Sequence, residues 1–217
     1  MIDGTIYQVE EIKAALFPLT AGATTIEPAQ LSLPTLTSYG RSSAPKILVT
    51  DAIEINVRPL PQTGKATHFT GAVGQYQIDA QVDRDTIEAG NGVTLRLEVS
   101  GKGNIETLTE PIIPSLSNMT IYPPKITDSI GEVNSKIQGG RTYEYVIIPS
   151  QSGNWTIPAI EYPYFDPQKE SYQIARTVPI SINVLPGGAT GTTVVPSTQS
   201  DIRMLKQDIQ YIKPATV

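Results

Sequence analysis

At 217 residues with 39% hydrophobic side chains, the chain can build the core of one large or two ordinary globular domains. Eighteen prolines and seventeen glycines beside only 17% charged residues interrupt it too often for long helices, so an all-β protein of many short strands is expected. A net charge of −5 with no basic cluster excludes a nucleic-acid surface, and the absence of cysteine excludes disulfides, thiol catalysis and thiolate metal sites.

The first stretch becomes readable through a copy of itself. "PLTAGATTIEPA" from Pro18 to Ala29 recurs imperfectly as "PSQSGNWTIPA" from Pro149 to Ala159, and aligning the two prolines sets Ile12, Leu16 and Phe17 in the places of Tyr143, Ile147 and Ile148. Further on, "IEINVRP" from Ile53 matches "ISINVLP" from Ile180, including the whole "INV". Residues 1–60 therefore read as the last three strands of a truncated sandwich, with "PLTAGATTIEPA" as an inter-strand turn. Half a sandwich cannot bury its inner face alone, so this piece is expected to pack on the complete domain or on a second copy of the chain.

Residues 61–72 read as a linker, because "PLPQTGKATHF" holds two prolines and few apolar side chains. It carries His68, the single histidine of the chain, so neither a serine triad nor a multi-histidine metal site can be assembled.

Residues 73–186 read as one complete immunoglobulin-like β-sandwich of roughly seven strands. In "QYQIDAQVD" Tyr76, Ile78, Ala80 and Val82 alternate with polar residues, as a strand with one wet face requires. "VTLRLEVSG" repeats the pattern with Val93, Leu95, Leu97 and Val99, and "SGKGN" after it reads as a tight turn, without the context of a phosphate-binding loop. "MTIYPP" and "SKIQGG" are weaker strands, whereas "RTYEYVIIP", "NWTIPAIEYPYF" and "TVPISINVLP" are strong ones. The carboxylates Asp79, Asp83, Asp85 and Glu88 lie close in sequence but lack a glycine-bearing loop of calcium-ligand spacing.

Trp155, Tyr162, Tyr164, Phe165 and Tyr172 fall within eighteen residues and are the candidate contacts for a partner or ligand. Exposed together, such rings stack on sugars or receive a protein, while turned inward they fill a sandwich core. Residues 187–217 open with the polar spacer "GGATGTTVVPSTQS" and close with "DIRMLKQDIQYIKP". There Ile202, Leu205, Ile209 and Ile212 recur near helical spacing. No apolar run approaches the roughly 20 residues of a membrane helix.

Taken in order, "FTGAVGQY", "SGKGNIETLTEPIIPSL", "RTYEYVIIPSQSGNWTIPAIEYPYFDP" and "SINVLPG" resemble the BatD family of bacterial oxygen-tolerance, or aerotolerance, proteins. The resemblance implies tandem immunoglobulin-like domains on the periplasmic side of the cytoplasmic membrane, cut here from a longer membrane-anchored protein. It implies partners among Bat proteins with von Willebrand factor A domains and a MoxR-type ATPase. It brings no catalytic residues and no cofactor, so a non-enzymatic scaffold is expected. A carbohydrate-binding β-sandwich module, using the aromatic group, is the alternative.

Overall fold

The computed structural model describes residues 11–36 and 42–187, and the helix expected near Ile202 to Ile212 lies outside them. The described residues form strands and loops without a helix. Four strands occupy the first part: β1 (Gly22–Ile26), β2 (Gln30–Leu36), β3 (Ser42–Val49) and β4 (Ile53–Val57). Ten follow: β5 (Gly74–Val82), β6 (Thr86–Glu88), β7 (Val93–Gly103), β8 (Met119–Ile121), β9 (Lys125–Val133), β10 (Lys136–Pro149), β11 (Gly153–Ile157), β12 (Glu161–Asp166), β13 (Ser171–Arg176) and β14 (Ile180–Leu185).

The later ten strands make a β-sandwich. One layer is the antiparallel sheet β5-β7-β10, with β8 and β9 both paired to β10 at different points along its far edge. The opposing layer is β11-β14-β6, and the hairpin β12-β13 is a separate two-stranded sheet tied to the segment before β5 by Phe165 N donating to Ala72 O at 2.9 Å. The two-residue period places Tyr76, Ile78 and Ala80 inward on β5, and on β7 Val93, Leu95, Leu97 and Val99 are all 0% exposed. Ile157, Ile160, Tyr162, Ile182 and Val184 meet them from the second layer. Each fully buried aliphatic side chain contributes roughly 1.5–3 kcal/mol, enough for these few strands to dominate the stability.

Ten strands stand where roughly seven were expected, and the differences have local causes. "SKIQGG" and "RTYEYVIIP" are one strand, β10, because Gln138 to Ile147 pair continuously with Lys102 to Val93. "NWTIPAIEYPYF" breaks at Pro158 and Ala159 into β11 and β12, which pair with β14 and β13 respectively. "SGKGN" is not a turn after the strand: Ser100 to Gly103 are the end of β7 itself. β9 lacks period-two hydrophobicity and is exposed throughout, so it owes its conformation to β10 alone.

In the first part, residues 11–19 hold no strand, so the strand expected around Ile12 to Phe17 is absent. The "turn" Pro18 to Ala29 in fact contains β1. β1 pairs with β4 and β2 with β3, and none of residues 45–71 or 11–33 is buried.

The internal repeat is reproduced in the hydrogen bonding. β1 meets β4 with Gly22 opposite Val57 and Ile26 opposite Ile53, and β11 meets β14 with Gly153 opposite Val184 and Ile157 opposite Ile180. Both glycines have positive φ, 123° and 141°. In each copy a threonine closes the hairpin reciprocally. Ala29 N donates to Thr50 Oγ1 at 2.9 Å and Thr50 N to Ala29 O at 3.0 Å, while Ile160 N donates to Thr177 Oγ1 at 3.0 Å and Thr177 N to Ile160 O at 3.1 Å.

Candidate functional site

Large inward side chains give way to glycine where β7 ends and β10 begins. Gly101 lies opposite Gly139 on β10 and opposite Tyr76 on β5, and Gly103 lies opposite Gly74. A methyl group on Gly101 would stand 1.9 Å from the Gln75 carbonyl oxygen, and one on Gly139 would stand 2.0 Å from that of Ser129. Backbones therefore approach here as no other residue allows, which bends the strands and leaves backbone as a floor.

Above this floor opens a groove of about 670 Å³, with Tyr76, Tyr164, Ile130, Lys102, Lys169 and Asp166 among its walls. Tyr76 meets Tyr164 edge to face at 5.9 Å and donates its hydroxyl to Val73 O at 3.1 Å. Asp166 is only 2% exposed. Burial by itself would raise its pKa, but hydrogen bonds from Gln168 N, Gln75 Nε2 and Lys169 N, helped by the Lys169 charge, outweigh that and hold it below the usual carboxylate value. With Oδ1 receiving Gln168 N at 2.8 Å and Lys169 N at 3.3 Å, this carboxylate ties the β12–β13 turn. The groove offers two ammonium groups, tyrosine edges and backbone, a surface for contact rather than bond-making.

The five aromatic candidates do not share one face. Tyr162 and Phe165 are 2% and 7% exposed and so offer no contact surface, but three residues apart on β12 they face opposite ways: Tyr162 fills the sandwich core, and Phe165 packs on the other side against Tyr172. Trp155 is half-buried on β11 and donates Nε1–H to Gln151 O at 3.2 Å. Tyr164 lines the groove. Tyr172 is half-buried and is engaged within the chain: its hydroxyl donates to Pro61 O at 2.8 Å, and its ring meets Phe69 and Phe165 edge-on at 5.0 and 5.2 Å. With the Arg58–Glu170 ion pair at 3.1 Å, these contacts hold the 58–69 stretch against the β12–β13 hairpin. The sequence showed a polar, proline-bearing spacer and gave no sign of this clamp.

His68, at φ 63°, lines a smaller cavity of about 290 Å³ with Glu110, Glu161 and the apolar walls Pro111, Ile112 and Pro163. Glu161 is paired with Arg176 at 2.8 Å and Glu110 accepts the Tyr145 hydroxyl at 3.0 Å. Among the described residues, no three His, Asp or Glu side chains come together as a metal site. Of the acidic cluster, Asp83 Oδ1 accepts Thr94 N at 2.8 Å and Asp85 accepts the Thr86 hydroxyl at 3.2 Å.

The long crossover between β7 and β8 is anchored by side chains of β10. Arg141 Nη1 and the Tyr143 hydroxyl both donate to Leu108 O, at 2.8 and 3.0 Å, while Arg141 also grips Asp128 of β9 through two 2.6 Å bonds. The bidentate Arg141 bond lowers the Asp128 pKa. Replacing Arg141 by Ala is expected to cost about 1.5–3 kcal/mol, read in urea denaturation, and to speed amide exchange in β9 before other strands. As the Asp128 pKa is depressed in the folded chain, its contribution is present above its unfolded pKa and fades as pH falls through the folded one.

Burial raises the pKa of four core tyrosines, Tyr76 to about 12 and Tyr143, Tyr145 and Tyr162 likewise upward. The Tyr162 hydroxyl faces Thr109 without completing a well-formed hydrogen bond. A raised folded pKa gives stability that is complete below the unfolded value of 10.0 and is lost as pH climbs through the folded one. Unfolding is thus expected above pH 10, with the tyrosinate absorbance of these residues appearing together with loss of strand circular dichroism. Smooth tyrosinate titration in a still-folded chain would contradict this.

The fold and its surface define an all-β sandwich protein with an internal repeat, in which no three His, Asp or Glu side chains gather among the described residues. Residues 80–184 match the family model described as the BatD DUF11-like domain. The later part of the chain is thus a BatD domain. That family is not known as one of enzymes, and members are associated with the bacterial envelope. No curated protein matches the chain. No helix among the described residues is long and apolar enough to cross a membrane.

Proposed function

We propose that the protein is a non-enzymatic scaffold of the bacterial envelope, on the periplasmic side of a membrane to which the full-length protein is anchored. It holds von Willebrand factor A-type Bat proteins in a complex that also engages a MoxR ATPase and serves aerotolerance. The BatD domain at 80–184 is the observation that carries this reading.

The contact surface in this reading is β9. All nine of its residues are exposed, its outer edge faces no other strand among the described residues, and Ile126, Ile130 and Val133 present 51%, 42% and 46% of their surface to water. A long edge strand with unpaired backbone and apolar side chains is a template for strand addition, in which main-chain bonds supply affinity and alternate side chains supply specificity. The free edge is left only lightly guarded by Lys125 and Glu132, since Asp128 is held by Arg141.

Affinity capture from a native envelope tests both parts. The chain is expected to recover von Willebrand-type Bat proteins, and the double variant Ile126→Lys, Ile130→Lys to recover roughly tenfold less. Undiminished recovery by the variant would move the contact away from β9. Consistent absence of those proteins with the unaltered chain would remove the partner assignment itself.

A further inference from the structure

The repeat makes β1 to β4 more than a loose N-terminal extension. β1 and β4 copy β11 and β14 with the same register, the same positive-φ glycine and the same reciprocal threonine closure, and β2–β3 starts in the register of β12–β13 before shifting between Leu33 and Thr35. What differs is cover. Ile157 and Ile182 are each 1% exposed and Val184 is 2%, because the sheet β5-β7-β10 lies across them. Their counterparts by register are Ile26, Ile55 and Val57, which are only half-buried. Ile53 is 57% exposed, and Leu31, which stands where Tyr162 stands in the other copy, is 53% exposed.

We infer that the β1–β4 and β2–β3 face is a docking surface whose occupant is an antiparallel three-stranded sheet of the β5-β7-β10 design, belonging to another domain of the same repeat. The argument is the molecule's own second copy. The frame of β11 and β14, which β1 and β4 match in register with Ile26, Ile55 and Val57 in the places of Ile157, Ile182 and Val184, is completed there by Val, Leu and Ile from alternating positions of β7 and its neighbours. The chain's own sheet of that kind is already occupied by β11 to β14, so it cannot serve both faces.

The test prolongs the chain with a second copy of residues 69–152 joined directly ahead of Gly22, in the frame in which Ser152 meets Gly153. Amide exchange at Ile26, Ile53, Ile55 and Val57 is expected to slow by roughly 100-fold relative to the unprolonged chain, with light scattering giving a monomer for both. Ile55→Asp in the prolonged chain is expected to restore fast exchange there while β11 and β14 stay protected. A doubled mass of the unprolonged chain, with its β1–β4 amides already slow, would assign the face to a second copy and overturn the inference. Because the added strands could fit this face poorly, a reciprocal chain in which residues 22–57 replace 153–184 supplies a second reading. Cooperative unfolding of that chain supports the inference. Non-cooperative unfolding of it, together with unchanged exchange in the prolonged chain, overturns it.

Discussion

Gly101→Ala is expected to lower stability by about 3 kcal/mol or more, although it adds a single methyl group. Two independent penalties meet at this position. The residue has φ +156°, which side-chain-bearing residues rarely adopt, and its Cβ would lie 1.9 Å from the Gln75 carbonyl oxygen and 2.9 Å from its carbon. Neither atom is the free end of a side chain, so relief requires β5 and β7 to separate. The groove floor should deform with them. Urea denaturation gives the energy, and hydrogen exchange at Gln75 and Lys102 locates the damage. A loss below about 1 kcal/mol would show that the strands part easily, and that the glycine row is not what shapes the groove.

Tyr143→Ala should cost as much, about 3–5 kcal/mol, but for a different reason. The ring is 1% exposed between β7, β9 and the crossover, and its removal leaves a cavity in a layer that packs against rigid strands on both sides. Tyr143→Phe separates the ring from the hydroxyl. The Leu108 carbonyl that accepts the hydroxyl also accepts Arg141 Nη1, so it keeps a partner when the hydroxyl is gone, and the expected loss is only about 0.5–1.5 kcal/mol. Comparable losses for the two variants in parallel denaturation curves would mean that the hydroxyl, rather than ring packing, secures the crossover.

Much of the fold was legible because it obeys a short-range rule. Alternation in Tyr76 to Val82 and Val93 to Val99 marks one buried face, and burial follows it residue by residue. The repeat was legible too, since "INV" and the flanking prolines survive in both copies. Other features left no local trace. β9 has no alternation because neither of its faces is buried, and a strand held only by its neighbour's hydrogen bonds need not encode itself in hydrophobicity. The groove was equally hidden: "SGKGN" looks like a turn until Gly101 is found opposite Gly139, some forty residues away.

The aromatic group shows the same division. Sequence proximity brought Trp155, Tyr162, Tyr164, Phe165 and Tyr172 together, but the change of sheet at Pro158 and the pairing of β12 with β13 distribute them among core, groove and linker clamp. Which way a ring faces depends on the strand opposite it, and that strand is remote in the chain.

The sequence by itself determined an all-β chain, an internal repeat and the BatD character of its later part, because periodicity and ordered motifs are properties of neighbouring residues. Tertiary structure alone decided that the glycines of three strands coincide to form a groove, that Tyr172 fastens the 58–69 stretch, and that one copy of the repeat is covered while the other is open. Each of these depends on register between distant strands, where a shift of one residue would turn every side chain to the other face.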